Sequence, residues 1–273
     1  MNATPSPPTD WLELNRAYWD ERVPIHVASR LYDVPGFLGG KDTLLDFERD
    51  QVGDVHGKSL LHLMCHIGLD TLSWARHGAT VTGLDFSRPA LEAAASLAEQ
   101  AGIGSARFVA SDIDHAAEAL AGRTFEIVYT GRGVTQWIPD IERWAHTVAA
   151  LLAPGGFVYI ADYHPFIDIV DDQVRGLRRG YLDHGPFAEQ EHGSYTGSAD
   201  TRADSIVKWT HHIGSIVDAL AGAGLRIRFL REYPFTDVPM FHGLERGDEG
   251  MWRFPEDRLQ IPLMFSLRAS KDA

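Results

Sequence analysis

Compact apolar runs alternate with amphipathic stretches along the middle of the chain. Short runs rich in Leu, Val, Ile and Phe are typical of strands that are buried on both faces of a parallel sheet. Such runs occupy residues 59–64, 81–84, 107–110, 125–129 and 157–161. The stretches between them have helical spacing, and one begins at Ser87, has Pro89 in its first turn and ends at Gly102. This alternation predicts βαβ units with right-handed crossovers, and so an α/β, Rossmann-like, doubly wound sheet.

The pattern changes after the fifth run and then returns. Residues 165–208 are polar and interrupted by glycines, with little regular apolar spacing. Helical spacing resumes at residues 213–220, and residues 226–230 and 261–267 are predicted to be two further strands. The complete sheet is therefore expected to have seven strands.

These changes in pattern divide the chain into five parts. They are a disordered tail (1–10), an N-terminal helical cap (11–56), a core domain (57–164), an insertion after strand 5 that is expected to cover the substrate (165–208) and the C-terminal part of the core (209–273). Within the N-terminal cap, Pro24 and Pro35 are expected to break the helical stretches.

Composition excludes several classes of protein. The net charge of −13 argues against a nucleic-acid-binding protein, because phosphate binding needs a clustered basic surface. The densest basic cluster (Arg175, Arg178 and Arg179) is short, and a solvated surface explains it better than a phosphate site does. Cys65 is the only cysteine, which fits a reducing compartment. No apolar run approaches the roughly 20 residues that span a bilayer, so a soluble, cytoplasmic protein is expected.

Candidate chemistry gathers at the carboxyl ends of the first three strands, where doubly wound sheets bind their ligands. Gly68 lies in the turn after strand 1 and allows close approach of a ligand to the backbone. Asp85 ends strand 2 and can accept hydrogen bonds from both hydroxyls of a ribose, while Phe86 offers an apolar face. Asp112 and Ile113 follow strand 3 and can hold a base edge. Together these residues predict a nucleoside site.

The order of these segments resembles that of class I S-adenosylmethionine (SAM)-dependent methyltransferases. The resemblance is carried by residues 60–85, by Ser111-Asp112-Ile113, by residues 125–128 and by residues 152–157. The segment Leu-His-Leu-Met-Cys-His-Ile-Gly, residues 61–68, is similar to a bacterial subgroup in which a Cys-His pair replaces part of the glycine-rich loop. His62 stands where the family has an acid, and Met64 and His66 stand where it has glycines. The resemblance implies that the last of the seven strands is antiparallel and that SAM is the cofactor.

The resemblance also implies a wider set of cofactor-binding residues. They are Tyr18, Trp19, His26, Cys65, His66, Gly68, Asp85, Phe86, Ser111, Asp112, Ile113, Thr130 and Gly131. The first three belong to an aromatic segment that would fold over the cofactor, where rings can face the sulfonium charge. Packing of an amphipathic helix is the alternative for these three, and a helix or turn cap is the alternative for Asp112.

Catalysis by methyl transfer depends mainly on positioning the acceptor behind the S–CH₃ bond. A base is needed only if the acceptor must lose a proton, and His164 and Tyr163 at the end of strand 5 are the catalytic candidates. An ordinary loop and a packing surface are the respective alternatives. No metal site is expected, because His62 and His66 are not on one helical face.

The acceptor is expected to be a small organic molecule. Phe166, Tyr181, Phe187 and Tyr195 in the insertion favour an acceptor that is partly apolar or aromatic. Two other functions stay open: a nicotinamide-dependent oxidoreductase, and a non-catalytic binding module with the same fold. The bulky turn after strand 1 disfavours the former, since a pyrophosphate needs a glycine-rich turn. The sequence also leaves open whether the chain forms a homo-oligomer.

Overall fold

The computed structural model describes residues 8–171, 173–197 and 199–273. The helices in these ranges are α1 Trp11–Ala28, α2 Val34–Leu38, α3 Asp46–Val52, α4 Leu69–Arg76, α5 Arg88–Gln100, α6 Ala116–Ala119, α7 Ile141–Leu151 and α8 Ile213–Gly222. The strands are β1 Ser59–Leu63, β2 Thr80–Asp85, β3 Arg107–Ala110, β4 Phe125–Thr130, β5 Leu152–Tyr163, β6 Phe187–Gln190, β7 Ser205–Lys208, β8 Arg226–Tyr233, β9 Phe235–Thr236, β10 Glu245–Arg246, β11 Trp252–Arg253 and β12 Met264–Ser270. Residues 1–7 of the expected disordered tail lie outside the described residues.

Within the described ranges, seven strands form the main sheet in the order β3-β2-β1-β4-β5-β12-β8. Strands β1 to β5 pair in parallel. Strand β12 lies between β5 and β8 and is antiparallel to both. The predicted doubly wound sheet with an antiparallel last strand is confirmed. A dinucleotide-binding sheet of the usual 3-2-1-4-5-6 order would lack this inserted strand.

The alternation of side chains in β1 explains why the sheet is covered on both faces. Leu61 packs with Trp144 of α7 and Ile216 of α8 in one cluster. Leu60 points to the opposite face and packs with Trp74 of α4. Neighbouring strand residues point to opposite faces, so a continuous apolar run requires helices on both sides.

Helix α1 continues through Pro24, so the expected break there is wrong. Proline inside a helix costs roughly 3 kcal/mol because it removes a hydrogen bond and crowds the preceding turn. Val23 and His26, on either side of that turn, are both buried. Tertiary contacts on both sides of Pro24 therefore hold the helix together despite the proline.

The insertion packs directly on α1. The Asn15 side-chain amide donates to the carbonyl oxygen of Val207 at 2.9 Å and accepts from the Val207 amide at 2.8 Å. The buried guanidinium of Arg22 donates to the carbonyl oxygens of Ala203 and Glu191, both at 2.9 Å. Helix α1 and the β6–β7 hairpin are therefore held together by buried hydrogen bonds.

The last strand begins later than the sequence pattern predicts. Ile261 and Leu263 are buried, but they pack with Phe241, Phe254 and Ile169 in a cluster outside the main sheet. The apolar run thus has two parts. Ile261 and Leu263 pack outside the main sheet, and the part from Met264 onward pairs with β5. No helix in the described ranges has the length and apolarity needed to cross a membrane.

Candidate functional site at the carboxyl ends of the strands

The loop after β1 keeps an unusual backbone although it has only one glycine. Met64, His66 and Gly68 have φ angles of 57°, 49° and 76°, all in the left-handed region. That region costs about 1–2 kcal/mol for a residue with a Cβ, which is why glycine is usual there. Met64 and His66 therefore keep the left-handed backbone that glycines would adopt at these positions, although both residues carry a Cβ.

Contacts of the two side chains offset this strain. The imidazole of His66 is hydrogen-bonded through Nε2 to Nδ1 of His26 at 2.8 Å. Met64 packs against Tyr18, Trp137 and Ile206. Strained non-glycine residues persist where the surrounding structure fixes them, and such positions are concentrated at functional sites.

Gly68 is explained by packing as well as by its φ angle. A Cβ at this position would lie 2.8 Å from Cβ of Ala94 in α5 and 3.1 Å from the ring of Phe108 in β3. The close approach that this glycine allows is therefore between the loop and its neighbours in the fold. Contact between the backbone at Gly68 and a ligand stays a prediction.

Replacing Gly68 with alanine is expected to cost more stability than the same change at Gly102. Gly102 also has a left-handed φ, 70°, but a Cβ there meets no atom within 4 Å. Gly102→Ala therefore measures φ strain alone, about 1 kcal/mol, and Gly68→Ala adds overpacking of about 1–3 kcal/mol. Urea denaturation of both variants measures the difference, and equal losses would contradict the packing explanation.

Asp85 is buried at the tip of β2 and already holds two backbone groups. Its Oδ2 accepts from the His66 amide at 2.8 Å and its Oδ1 from the Ser87 amide at 2.9 Å. Burial raises the pKa of Asp85 to about 6. An ionised carboxylate has about four acceptor positions, so these amides leave room for a hydroxyl donor. Phe86, next along, is half-buried, with the Arg16 guanidinium 5.9 Å from its ring centroid.

The segment after β3 forms a capped turn. Oδ1 of Asp112 accepts from the His115 amide at 3.0 Å and contacts His115 Nδ1 at 2.7 Å. Ser111 donates to the carbonyl oxygen of Asp112 at 2.9 Å, and Ile113 is buried in the main core. The turn cap accounts for one carboxylate oxygen of Asp112, and contact of these residues with a base stays a prediction.

Aromatic rings gather where α1, the loop after β1 and the insertion meet. This aromatic cluster consists of Trp19, His26, Tyr32, His66 and Tyr195, with ring centroids 4.9–6.5 Å apart. Burial lowers the pKa of His26 to about 4 and that of His66 to about 3, so both are neutral near pH 7. Tyr32 was not predicted, because nothing in its local sequence marks it.

Tyr18 and Cys65 have side chains that are engaged elsewhere. The Tyr18 hydroxyl donates to Glu191 at 2.9 Å. The Cys65 thiol is buried, and a Cβ at Gly83 would lie 2.7 Å from its Sγ. Burial raises the pKa of Cys65 well above its usual value. Any cofactor contact of Cys65 would therefore come from its backbone.

The segment after β4 contains a buried charge cluster. Arg132 contacts Glu48 at 2.6 Å and Asp70 and Asp237 at 3.1 Å each. Glu48 also accepts from the Tyr129 hydroxyl at 2.7 Å, and burial raises its pKa despite the attraction of Arg132. Sequence inspection missed this Arg132 cluster because its members come from α3, α4, the β4 loop and the segment after β9.

Thr130 and Gly131 lie between β4 and that cluster. The side chain of Thr130 is buried, and its Oγ1 has no hydrogen-bond partner in the described part of the chain. A Cβ at Gly131 would lie 3.4 Å from Nε2 of His62. His62 is itself buried and hydrogen-bonded to Thr71 at 2.8 Å. The described residues contain no cluster of three or more His, Cys, Asp or Glu that could hold a metal ion.

The two catalytic candidates at the end of β5 have different surroundings. Nδ1 of His164 accepts from the Phe166 amide at 3.1 Å, so the proton is on Nε2, which donates to Glu232 at 2.8 Å. Both nitrogens of His164 are thus engaged, and its side chain caps the short helix that follows β5. Tyr163 lies near Asp237 of the Arg132 cluster, and burial raises the pKa of its hydroxyl well above the usual value.

Asp162 was not predicted, yet it fixes the loop after β4. Its carboxylate accepts from the Gly133 amide at 2.5 Å and from the Thr135 amide and hydroxyl, both at 2.8 Å. An acid at the end of a buried strand was the available signal, as it was for Asp85.

The aromatic residues of the insertion do not share one surface. Phe166 and Tyr181 pack against the cluster of Phe241 and Phe254, whereas Phe187 packs under Arg179. Tyr195 alone of the four belongs to the aromatic cluster.

Comparison with known proteins agrees with this architecture. Residues 60–156 match the methyltransferase domain family. A ubiquinone biosynthesis O-methyltransferase from Vibrio parahaemolyticus is 31% identical over 164 residues, which are 59% of this chain and 63% of that protein. The chain thus spans less than two thirds of the length of this curated relative.

Solved structures show the same fold. An S-adenosylmethionine-dependent methyltransferase from Mesorhizobium loti has a TM-score of 0.60 at 24% identity, over 86% of this chain and 100% of that one. The 1,6-didemethyltoxoflavin-N1-methyltransferase of Burkholderia thailandensis, with S-adenosylhomocysteine (SAH) and 1,6-didemethyltoxoflavin bound, has a TM-score of 0.56 at 15% identity, over 100% of this chain and 94% of that one. The chain therefore has the fold of class I SAM-dependent methyltransferases, with a methyltransferase domain match over the part that carries the candidate site.

Proposed function

We propose that the protein is a SAM-dependent methyltransferase that transfers a methyl group to a small organic acceptor. The match of residues 60–156 to the methyltransferase domain supports the reaction class. The names of the relatives, which refer to ubiquinone biosynthesis and to didemethyltoxoflavin, support a small-molecule acceptor. The proposal includes a cytoplasmic location, which the single buried cysteine favours.

The residues at the carboxyl ends of the strands fit the proposed cofactor. The Asp85 carboxylate keeps acceptor capacity for the ribose hydroxyls. Ser111, Asp112 and Ile113 are proposed to hold the base, and Thr130 Oγ1 is a buried polar atom that lacks a partner in the described residues. The neutral aromatic cluster is suited to a sulfonium, since rings attract a cation and the cluster carries no positive charge near pH 7. When bound, SAM would supply the methyl group.

Tyr163 is the stronger of the two candidates for contact with the acceptor. Tyr163 is only half-buried and lies near Asp237, whereas both nitrogens of His164 are engaged by Phe166 and Glu232. We therefore propose that Tyr163 orients the acceptor and that His164 caps the short helix after β5. Neither role requires a general base.

The observation that carries the proposal is the position of Asp85 beside the left-handed loop after β1. The carboxylate binds the His66 amide of that loop, at the point where the strand order reverses. The same loop argues against a nicotinamide cofactor. Ile67 is buried in an apolar cluster, and the His66 ring lies in the aromatic cluster. These side chains occupy the turn where a pyrophosphate needs glycine.

Isothermal titration of the full chain with SAH, NAD and NADP tests the proposal. We expect saturable binding of SAH and none of the nicotinamide cofactors. Binding of NAD or NADP without SAH would contradict the proposal. A second experiment incubates the protein with methyl-labelled SAM and a small-metabolite extract. Transfer of the label to a metabolite supports an enzyme, whereas SAH binding without transfer favours a non-catalytic binding module.

A further inference from the structure

A polar cavity of about 160 Å³ is lined mainly by residues of the insertion, outside the residues assigned to the cofactor. It is bounded by the short helix Pro165–Asp168 after β5, the β6–β7 hairpin and the short helix Thr135–Trp137 after β4. A cavity of roughly 150 Å³ accommodates a molecule the size of benzene. The space therefore suits a small ligand, beside the carboxyl ends of β4 and β5.

Three acids and three cations line the cavity: Asp168, Glu189, Glu191, Arg178, Arg179 and Lys208. Arg178 has a partner of its own, and four of the others satisfy one another. Arg179 donates to Glu189 at 2.7 Å. Lys208 forms an ion pair with Glu191, which also accepts from Tyr18, and lies 3.6 Å from Glu189. These two cations and two carboxylates form a wall in which each charge has a partner.

Asp168 differs from the other acids of the cavity. Its carboxylate has no hydrogen bond or ion pair with any residue that the structure describes, although it lines the cavity. Burial raises the pKa of Asp168 to about 6, with Lys208 and Arg179 opposing the shift. The group is therefore mostly ionised near pH 7.5. An ionised carboxylate that faces a cavity can form a charge-assisted hydrogen bond with a cationic ligand group.

The cavity is close to the proposed methyl-transfer site. Gln136 lines the cavity and accepts from the Trp209 amide at 2.8 Å. The ring of its neighbour Trp137 lies 5.4 Å from Lys208 Nζ and 5.2 Å from the ring of Trp19 in the aromatic cluster. One side chain thus connects the cavity to the aromatic cluster.

We propose that this cavity anchors the methyl acceptor through an ammonium group that pairs with Asp168. This inference rests on the proposed function and specifies its substrate class: a small, polar molecule with a basic amine. The anchored ammonium fixes the position of the acceptor and is not the methylated atom, since a protonated amine has no lone pair. The cavity thus favours a charged, polar acceptor rather than an aromatic one.

Ligand-detected NMR titrations of the full chain with three probes of similar size test the inference. The probes are 4-aminobutan-1-ol, butane-1,4-diol and 4-hydroxybutanoate, at millimolar concentration. We expect the amine to bind at least tenfold more tightly than the other two. Asp168→Asn should remove that preference, while Asp200→Asn, a change at a fully exposed acid of the same insertion, should retain it.

The outcomes separate this inference from the proposed function. Equal affinity for the three probes, no binding of the amine, or an unchanged preference in Asp168→Asn would overturn the cavity assignment. Each titration is repeated with SAH present. Binding of SAH with no amine preference would refute the cavity assignment alone, whereas an amine preference without SAH binding would refute the proposed function.

Discussion

Replacing Asp85 with alanine is expected to weaken SAH binding by roughly 2–3 kcal/mol, or about 30- to 150-fold. The change removes a carboxylate that can accept from both ribose hydroxyls, and hydrogen bonds to charged groups contribute about 1.5–3 kcal/mol each. Isothermal titration of the variant measures the loss. Asp114→Ala is the matched control, because Asp114 lies on the turn before α6 and pairs with Arg143 at 3.2 Å.

The pH dependence of the same affinity gives a second measurement of Asp85. Since its pKa is about 6, the carboxyl is ionised at pH 8 and becomes protonated as the pH falls below 6. A proton then competes with the ribose hydroxyls, so the SAH affinity of the wild type should fall between pH 7 and pH 5. The affinity of Asp85→Ala should change less over that range. Unchanged affinity in the variant at pH 8 would remove Asp85 from the cofactor site.

Asp85→Ala also has a structural effect that must be measured separately. The amides of His66 and Ser87 lose their acceptor, and an unsatisfied buried donor costs about 1–3 kcal/mol. Asp85→Asn keeps the shape and one acceptor oxygen. A variant that remains folded in urea titrations but binds SAH weakly would assign the binding loss to the lost contact.

Replacing Arg132 with methionine is expected to destabilise the fold by about 3–5 kcal/mol. Breaking a buried ion pair leaves an uncompensated charge, and Glu48 is fully buried beside Asp70 and Asp237. Urea denaturation measures the loss. Arg143→Met is the control, since Arg143 is exposed and pairs only at the surface, where an ion pair contributes about 0–1 kcal/mol.

The Arg132 variant should also show a characteristic pH dependence. Without its cation, the raised pKa of Glu48 in the folded state rises further above its unfolded value. A raised folded pKa gives stability that is present at low pH and lost as the pH rises through that pKa. Arg132→Met should therefore be more destabilised at pH 8 than at pH 5, and adding Glu48→Gln should recover part of the loss. A cost equal to that of Arg143→Met would contradict the account of the cluster.

Local sequence signals predicted the elements that depend on short-range physics. The buried run at β1 and the Ser87 cap of α5, whose side chain accepts from the Ala90 amide, are both found where the pattern placed them. The helix break expected at Pro24 was wrong because contacts of α1 with distant residues outweigh the local cost of proline. The helix propensity of the local sequence contains no information about those contacts.

The sequence predicted where Asp85 lies but not the contacts between distant segments. Asp85 ends a recognisable strand, as the pattern indicated, and its role in binding the cofactor stays a prediction. The left-handed conformations of Met64 and His66 could not be found, because neither residue type signals a positive φ. The partners of Arg132 and the unpaired Asp168 also escaped prediction, since they depend on segments far apart in the chain.

We propose that the carboxyl ends of β1, β2 and β3 bind the adenosine of the cofactor through Asp85. A crystal structure of the protein with SAH tests it most directly. The account predicts electron density for the nucleoside at these three ends, with both ribose hydroxyls within hydrogen-bonding distance of the Asp85 carboxylate. SAH bound elsewhere, or crystals grown in saturating SAH with side chains filling this crevice, would contradict it.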